Sequence, residues 1–207
     1  MRAGSVTAGG RAIGDTAWAV IGHPARFFQA MPKTGGFRAP LQFLFIISLF
    51  DALLVFLSLL IGGGLLVLAT AVHMLVLTPL AFVVSGFLFS AVLFVFWRLM
   101  GSTESYQTAY RVFAYSCGIT PVTTLLGLVP YLPIVSLAWW FGLFAIASVH
   151  VHGINRLKSA AVFATLALAA AVFVVRLEHR ILQPLGTRST VQQSSVKGHR
   201  GVPVARI

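Results

Sequence analysis

Gly101-Ser-Thr-Glu-Ser-Tyr-Gln-Thr-Ala-Tyr-Arg-Val-Phe-Ala-Tyr-Ser-Cys-Gly-Ile-Thr-Pro121 is a polar hinge that turns into an apolar segment studded with Tyr and Thr. It carries Glu104, Arg111 and three tyrosines, and long apolar runs lie on both sides of it. The chain is 58% hydrophobic and 9% charged, far from the quarter or so of charged residues usual in soluble domains. Runs of roughly 20 apolar residues, enough to cross a hydrocarbon core of about 30 Å, recur from Pro40 to Leu182 with short connections. The fold class that follows is all-α: a polytopic transmembrane helical bundle.

Working outward, the spans are expected at about 41–61, 73–98, 108–128, 132–152 and from Asn155-Arg156-Leu157-Lys158 to about Val175. The segment 65–97 is long for one span and contains Thr78-Pro79. Read as one span it gives five helices, and read as two it gives six. Nine basic residues fall on the N-terminal side in the five-span arrangement, and six, all in or near the tail, on the other. Six spans would put eleven and four on the two sides, which charge counting favours. We read five, because no polar turn surrounds Thr78-Pro79 and charges in long tails count less than those in short loops. Pro121 is expected to kink the third span, and Gly86-Phe-Leu-Phe-Ser90 has the small-residue spacing that lets helices approach closely.

Three regions follow from this: an N-terminal arm and interfacial helix (1–39), a five-helix transmembrane domain (40–182) and a basic, flexible tail (183–207). Residues 1–14 read as a loose arm. Asp15-Thr16 can cap a short helix broken by Pro24, and Trp18, Phe27 and Phe28, with Arg156 and Lys158 later in the chain, are the expected interfacial anchors. A helix lying in the headgroup layer and one packed on the protein's own surface both fit this pattern.

A formal charge of +11 would suggest nucleic acid in a soluble protein. Here the basic residues sit at the ends and loop edges with no aromatic-lined basic face, so anionic headgroups are the expected counterpart and nucleic acid is not. Cys117 is the only cysteine, which excludes an intrachain disulfide and a thiolate metal cluster. His150-Val-His152 is not a metal pair on a helix, because residues two apart point in divergent directions. The spans hold no Ser/His/acid set, paired carboxylates or HExxH motif, and Gly62-Gly-Gly64 lacks the lysine of a phosphate loop. No enzymatic activity and no cofactor are expected, a bound lipid being the one ligand the composition invites.

Asp51 is the sharpest single signal. A carboxylate at mid-span costs about 2.5–3.5 kcal/mol on insertion scales, so such a residue usually faces a cavity or a partner. Counting half a span from each end brings Ser85, Tyr115, Cys117, Thr120 and Pro121 to a similar depth, and with Asp51 they form the candidate intramembrane site. Asp51 is expected to be neutral or hydrogen-bonded at pH 7, either as an ion, proton or headgroup site or as an interhelical packing bond. Glu104, Tyr106, Tyr110 and Arg111 form a candidate cytoplasmic contact loop.

Gly101-Ser-Thr-Glu-Ser-Tyr106, Tyr110-Arg-Val-Phe-Ala-Tyr115 and Pro121 resemble the Yip family of five-span membrane proteins, bacterial members most. Trp18, Pro24, Phe27-Phe28 and Pro40 resemble the segment leading into the first family helix, and His150 with Asn155-Arg-Leu-Lys158 the loop between the last two. Ala114 stands where eukaryotic members usually have Gly. The resemblance implies five helices, a cytoplasmic N-terminus and a C-terminus across the membrane, here the periplasmic side of a bacterial inner membrane. Eukaryotic members meet Rab-type GTPases through longer N-terminal regions. The short basic arm here makes that partner unexpected. The function implied is a membrane scaffold or auxiliary subunit that binds lipids and other integral membrane proteins or its own copies. The alternative is a small-ion, proton or lipid transporter using Asp51.

Overall fold

A computed structural model describes residues 4–63, 67–129 and 132–176, which are helical with short connections. The helices are α1 (Gly4–Gly22), α2 (Pro24–Ala30), α3 (Arg38–Gly63), α4 (Leu68–Leu99), α5 (Tyr106–Ser116), α6 (Thr120–Leu126), α7 (Leu132–His150) and α8 (Arg156–Arg176). Four of them, α3, α4, α7 and α8, are long and apolar enough to cross a membrane. The chain divides into two compact units, Met1–Thr165 and Leu166–Ile207. In the second unit the described residues are the last turns of α8, with Leu168, Val172 and Phe173 exposed. The predicted tail 183–207 lies outside the described residues.

Within the first unit α3 and α4 form a long hairpin, and α5 packs against both. Gly86 lets them meet, since a side chain there would reach Leu44 of α3 and the rings of Phe113 and Tyr110 of α5. α4 runs without a break through Thr78 and Pro79, so the segment that could have been two spans is one helix. Its 32 residues rise about 48 Å, well beyond the hydrocarbon thickness, which requires tilt or projection past it. It begins at Leu68, five residues before the span expected from residue 73.

The largest departure from expectation lies in the third predicted span. It is not one kinked helix but α5, a 3-10 turn (Cys117–Ile119) and α6. Pro121 sits in the first turn of α6, where its missing N–H costs nothing and its fixed φ suits the helix start. The break therefore precedes the proline.

The N-terminal segment also differs. A helix already runs from Gly4, and the Thr16 hydroxyl donates to the Ala12 carbonyl one turn back instead of capping a new start. Pro24 does end α1 and opens α2. Val20 and Phe28 are fully buried, α2 lies on α7, and α1 lies on the 3-10 turn. Trp18 stays exposed. This pair of helices thus packs on the protein's own surface while keeping one aromatic outside.

The contact of α1 with the turn depends on Gly118. A Cβ there would stand 3.3 Å from the Ala17 Cα and 3.4 Å from the Phe43 ring. Backbone cannot yield as a flexible side chain does, and overpacking of this kind costs about 1–3 kcal/mol. Gly118→Leu is expected to lower the thermal midpoint in detergent by several degrees. Gly142→Leu, at a helical glycine with nothing within 4 Å, is expected to leave it nearly unchanged.

Candidate functional site

The polar hinge is built by two helix ends. α4 stops when the Gly101 backbone turns left-handed, at φ +100°, and the Gly101 and Ser102 amides fold back onto the Arg98 and Trp97 carbonyls, a closure that favours glycine. α5 starts at Ser105, whose hydroxyl accepts the Thr108 N–H, the usual service of an N-cap serine.

Between these ends the side chains reach for the connector ahead of α3. Glu104 Oε1 accepts from Lys33 Nζ at 2.7 Å. The Thr108 hydroxyl donates to the Lys33 carbonyl at 3.2 Å. Arg111 donates from Nη1 to the Pro32 carbonyl at 3.1 Å and from Nη2 to the Gly36 carbonyl at 2.9 Å. Glu104 and Arg111 therefore do not pair with each other; both bind the same five-residue turn. Gly35 has φ +109°, and a Cβ on it would come within 3.0 Å of Arg111 Nη2, so this turn requires glycine.

The two charged contacts differ in weight. Lys33 and Glu104 are 46% and 25% exposed, which puts their pair in the class contributing about 0–1 kcal/mol. Arg111 is only 3% exposed, and a buried cation must keep its hydrogen bonds. Tyr110 is fully buried beside it, stacked on Phe87 and edge-on to Phe37, and the Tyr106 hydroxyl donates to the Phe87 carbonyl. The four residues of the candidate contact loop thus engage the protein itself.

A second cluster joins this loop to the end of α7. Ser102 Oγ accepts the Glu104 N–H at 3.2 Å and lies 2.8 Å from His152 Nδ1. The Ser102 hydroxyl can donate to Nδ1 or accept from it according to the tautomer, and the other ring nitrogen, Nε2, is buried without a partner. The imidazole stacks on Trp97 with centroids 4.0 Å apart, and Trp97 Nε1 donates to Ser148 Oγ at 2.7 Å. Burial, reinforced by the positive charge of Lys33, pushes the His152 pKa down to about 3.

At membrane depth, Asp51 of α3 is 4% exposed, and its Oδ1 accepts from Thr124 Oγ1 of α6 at 2.6 Å. Thr120, one turn earlier, bonds back to the Cys117 carbonyl instead. Ser85 bonds to the Phe82 carbonyl and shares with Cys117 an apolar crevice between α4, α5 and α7. The Tyr115 ring packs against Phe27 of α2 and Phe43 of α3. Of the six residues grouped by depth, Asp51, the pair Ser85 and Cys117, and Tyr115 thus go to three separate places, while Thr120 and Pro121 form the start of α6. Of the predicted anchors, Phe27 and Phe28 face inward or toward Tyr115, while Arg156 and Lys158 are exposed.

Residues 18–177 match the family model of the Yip1 domain. The chain belongs to the Yip1 domain family. With its four long apolar helices, it is an integral membrane protein. Neither the curated proteins nor the solved structures gave a match. The Yip1 domain contains the connector turn, the hinge, the His152 cluster and the Asp51–Thr124 pair.

Several residues of these sites escaped sequence reasoning, among them Lys33, Trp97, Ser102, Thr108, Thr124 and Ser148. Only Thr124 had a usable signal, since it lies four residues after Thr120 and so on the same helix face. The Lys33 and Ser102 contacts span 71 and 50 residues, and no local pattern announces them.

The neutral state of His152 carries a pH dependence. Its folded pKa, about 3, lies below the unfolded value near 6.5, so between these pH values only the unfolded chain takes up the proton and stability falls as pH falls, by at most about 1.4 kcal/mol per unit. The thermal midpoint in detergent should drop from pH 7.5 to 5, and His152→Gln should shrink that drop.

The Asp51 pair makes a separate expectation. Asp51→Asn keeps an acceptor for Thr124 and should fold like the parent. Asp51→Leu strands the hydroxyl and should lower the recovered monodisperse protein several-fold by size-exclusion chromatography, whereas equal recovery would show that the bond contributes little.

Proposed function

We propose that this Yip1-domain protein is a five-span membrane scaffold or auxiliary subunit that binds lipids and other integral membrane proteins or its own copies. The fifth crossing is the broken segment α5–turn–α6. The N-terminus and the Gly101 loop lie on the cytoplasmic side of a bacterial inner membrane, and the C-terminus on the other.

One observation carries this reading. The charged and titratable side chains that drew attention in the hinge and the core are turned inward: Arg111 to two carbonyls, Glu104 to Lys33, Asp51 to Thr124 and His152 to Ser102, and the polar atoms left unpaired beside them, such as Arg111 Nε and His152 Nε2, are buried. What the molecule offers outward is apolar helix surface, including Phe45, Phe50, Leu80, Leu88 and Phe89 on α3 and α4. A groove of about 630 Å³ between these helices, bounded by Leu41, Phe45, Leu75 and Pro79, interrupts that surface. A protein built this way contributes shape and surface to a membrane assembly.

The transport alternative has one supporting observation, the helix break at Cys117–Ile119 adjoining the α6 helix that binds Asp51, since broken helices at mid-depth often line substrate sites. Gentle solubilisation followed by native mass spectrometry separates the readings. Co-purifying membrane proteins, lipids or homo-oligomers are expected. Bare monomers, together with Asp51-dependent flux into proteoliposomes, would replace the scaffold by a transporter.

A further inference from the structure

The first compact unit tapers along the direction in which its helices run. From Thr108 to Thr120, through α5 and the 3-10 turn, every residue but Tyr115 is buried, whereas no residue of α6 beyond Thr120 is. α3 repeats the pattern: its buried residues end at Ala52, and residues 53–63 are all at least partly exposed. α7, running the other way, has Leu143, Phe144, Ala147 and Ser148 buried toward its loop end and only Ser136 before them. The broad end is therefore the one that carries the Gly101 loop and the connector bound to it.

α1 and α2 supply the extra breadth. α1 packs on the turn at Gly118, and α2 packs on α7 and on the Tyr115 ring. Gly118 also meets the Phe43 ring, and Phe43 lies only about 7 Å of helix rise beyond Arg38 at the start of α3. One leaflet of hydrocarbon is about 15 Å deep, so the two N-terminal helices share the leaflet on the loop side. Leaving aside α8, whose single crossing adds equally to both leaflets, that leaflet holds α1, α2, α3, α4, α5 and α7, and the opposite one holds α3, α4, α6 and α7. Each helix is about 10 Å across, so the difference is a large one.

We infer that the first unit acts as a wedge and that the protein binds preferentially to bent membrane, seated with its Gly101-loop side on the convex face. The inference goes beyond the scaffold reading by naming the membrane shape that is recognised, and it rests on the five crossings of that reading. Added cross-section in one leaflet spreads its headgroups, and bending toward that side relieves the mismatch, as it does for helices lying in the interface. A second copy does not fill the taper, because copies set side by side meet first at their broad ends. The exposed Leu57, Ile61, Leu128 and Val135 of the narrow half are left to acyl chains.

Cys117 is buried, so a membrane-impermeant fluorescent maleimide reports an introduced cysteine alone. Thr103 in the Gly101 loop and Val129 after α6 are both exposed. Full-length Thr103→Cys and Val129→Cys proteins would each be reconstituted in giant phosphatidylcholine/phosphatidylglycerol vesicles and labelled from outside, so that the first shows only molecules with the loop side outward and the second only inverted ones. A narrow membrane tube would then be pulled from each vesicle, and label density, normalised to a lipid dye, compared between tube and vesicle. The Thr103→Cys label should be enriched at least twofold in the tube, whose outer face is convex, and the Val129→Cys label should be depleted there. Equal density in tube and vesicle, or a change of the same sign for both labels, would overturn the wedge. In the double variant, one label per molecule by mass spectrometry is the result the five crossings require. Two labels would remove the crossings and the wedge together, whereas one label with equal tube density would refute the wedge and leave the five-span scaffold standing.

Discussion

The guanidinium of Arg111 is nearly out of water and has no carboxylate, so its charge is balanced only by the dipoles of the Pro32 and Gly36 carbonyls. Burying a cation is tolerable only while such bonds hold. The connector 32–36 is therefore fixed in one conformation, with Gly35 left-handed to make room. Because the connector joins α2 to α3, this contact also sets where the N-terminal helices leave the membrane domain. Lys33, Glu104 and Thr108 add bonds across the same gap, but they are more exposed or uncharged and follow where Arg111 leads.

From that anchor the rest is a matter of close approach. α1 reaches the 3-10 turn because residue 118 has no side chain, and α2 reaches Tyr115 through Phe27. The turn in its place separates α5, which is engaged with the connector, from α6, which carries Thr124 to Asp51. A continuous helix would tie these two duties to one register. The break lets each half pack on its own terms, and Pro121 starts the second half without loss of a needed N–H.

At the other end of α5, the Ser102–His152–Trp97–Ser148 chain of contacts ties the hinge to α4 and α7. A hinge that read as polar and available is consequently a polar core between helix ends. The surface that the described residues turn outward is apolar helix at membrane depth, with basic side chains at its edge.

Apolar runs, the scarcity of charge, Pro24 and the Gly101 hinge were enough to determine a helical membrane protein, the places where helices begin and end near those residues, and the cost of Asp51. The family was legible in short motifs such as Tyr110-Arg111 and Pro121, because turn and cap chemistry is local and repeats in sequence. Tertiary structure alone decided that Arg111 would turn to Pro32 and Gly36 rather than to Glu104, that Thr124 rather than Thr120 would meet Asp51, and that the third segment would break before its proline. Each of these is a choice among partners of similar intrinsic chemistry. Distance across dozens of residues settles it, and that distance exists only once the helices have packed.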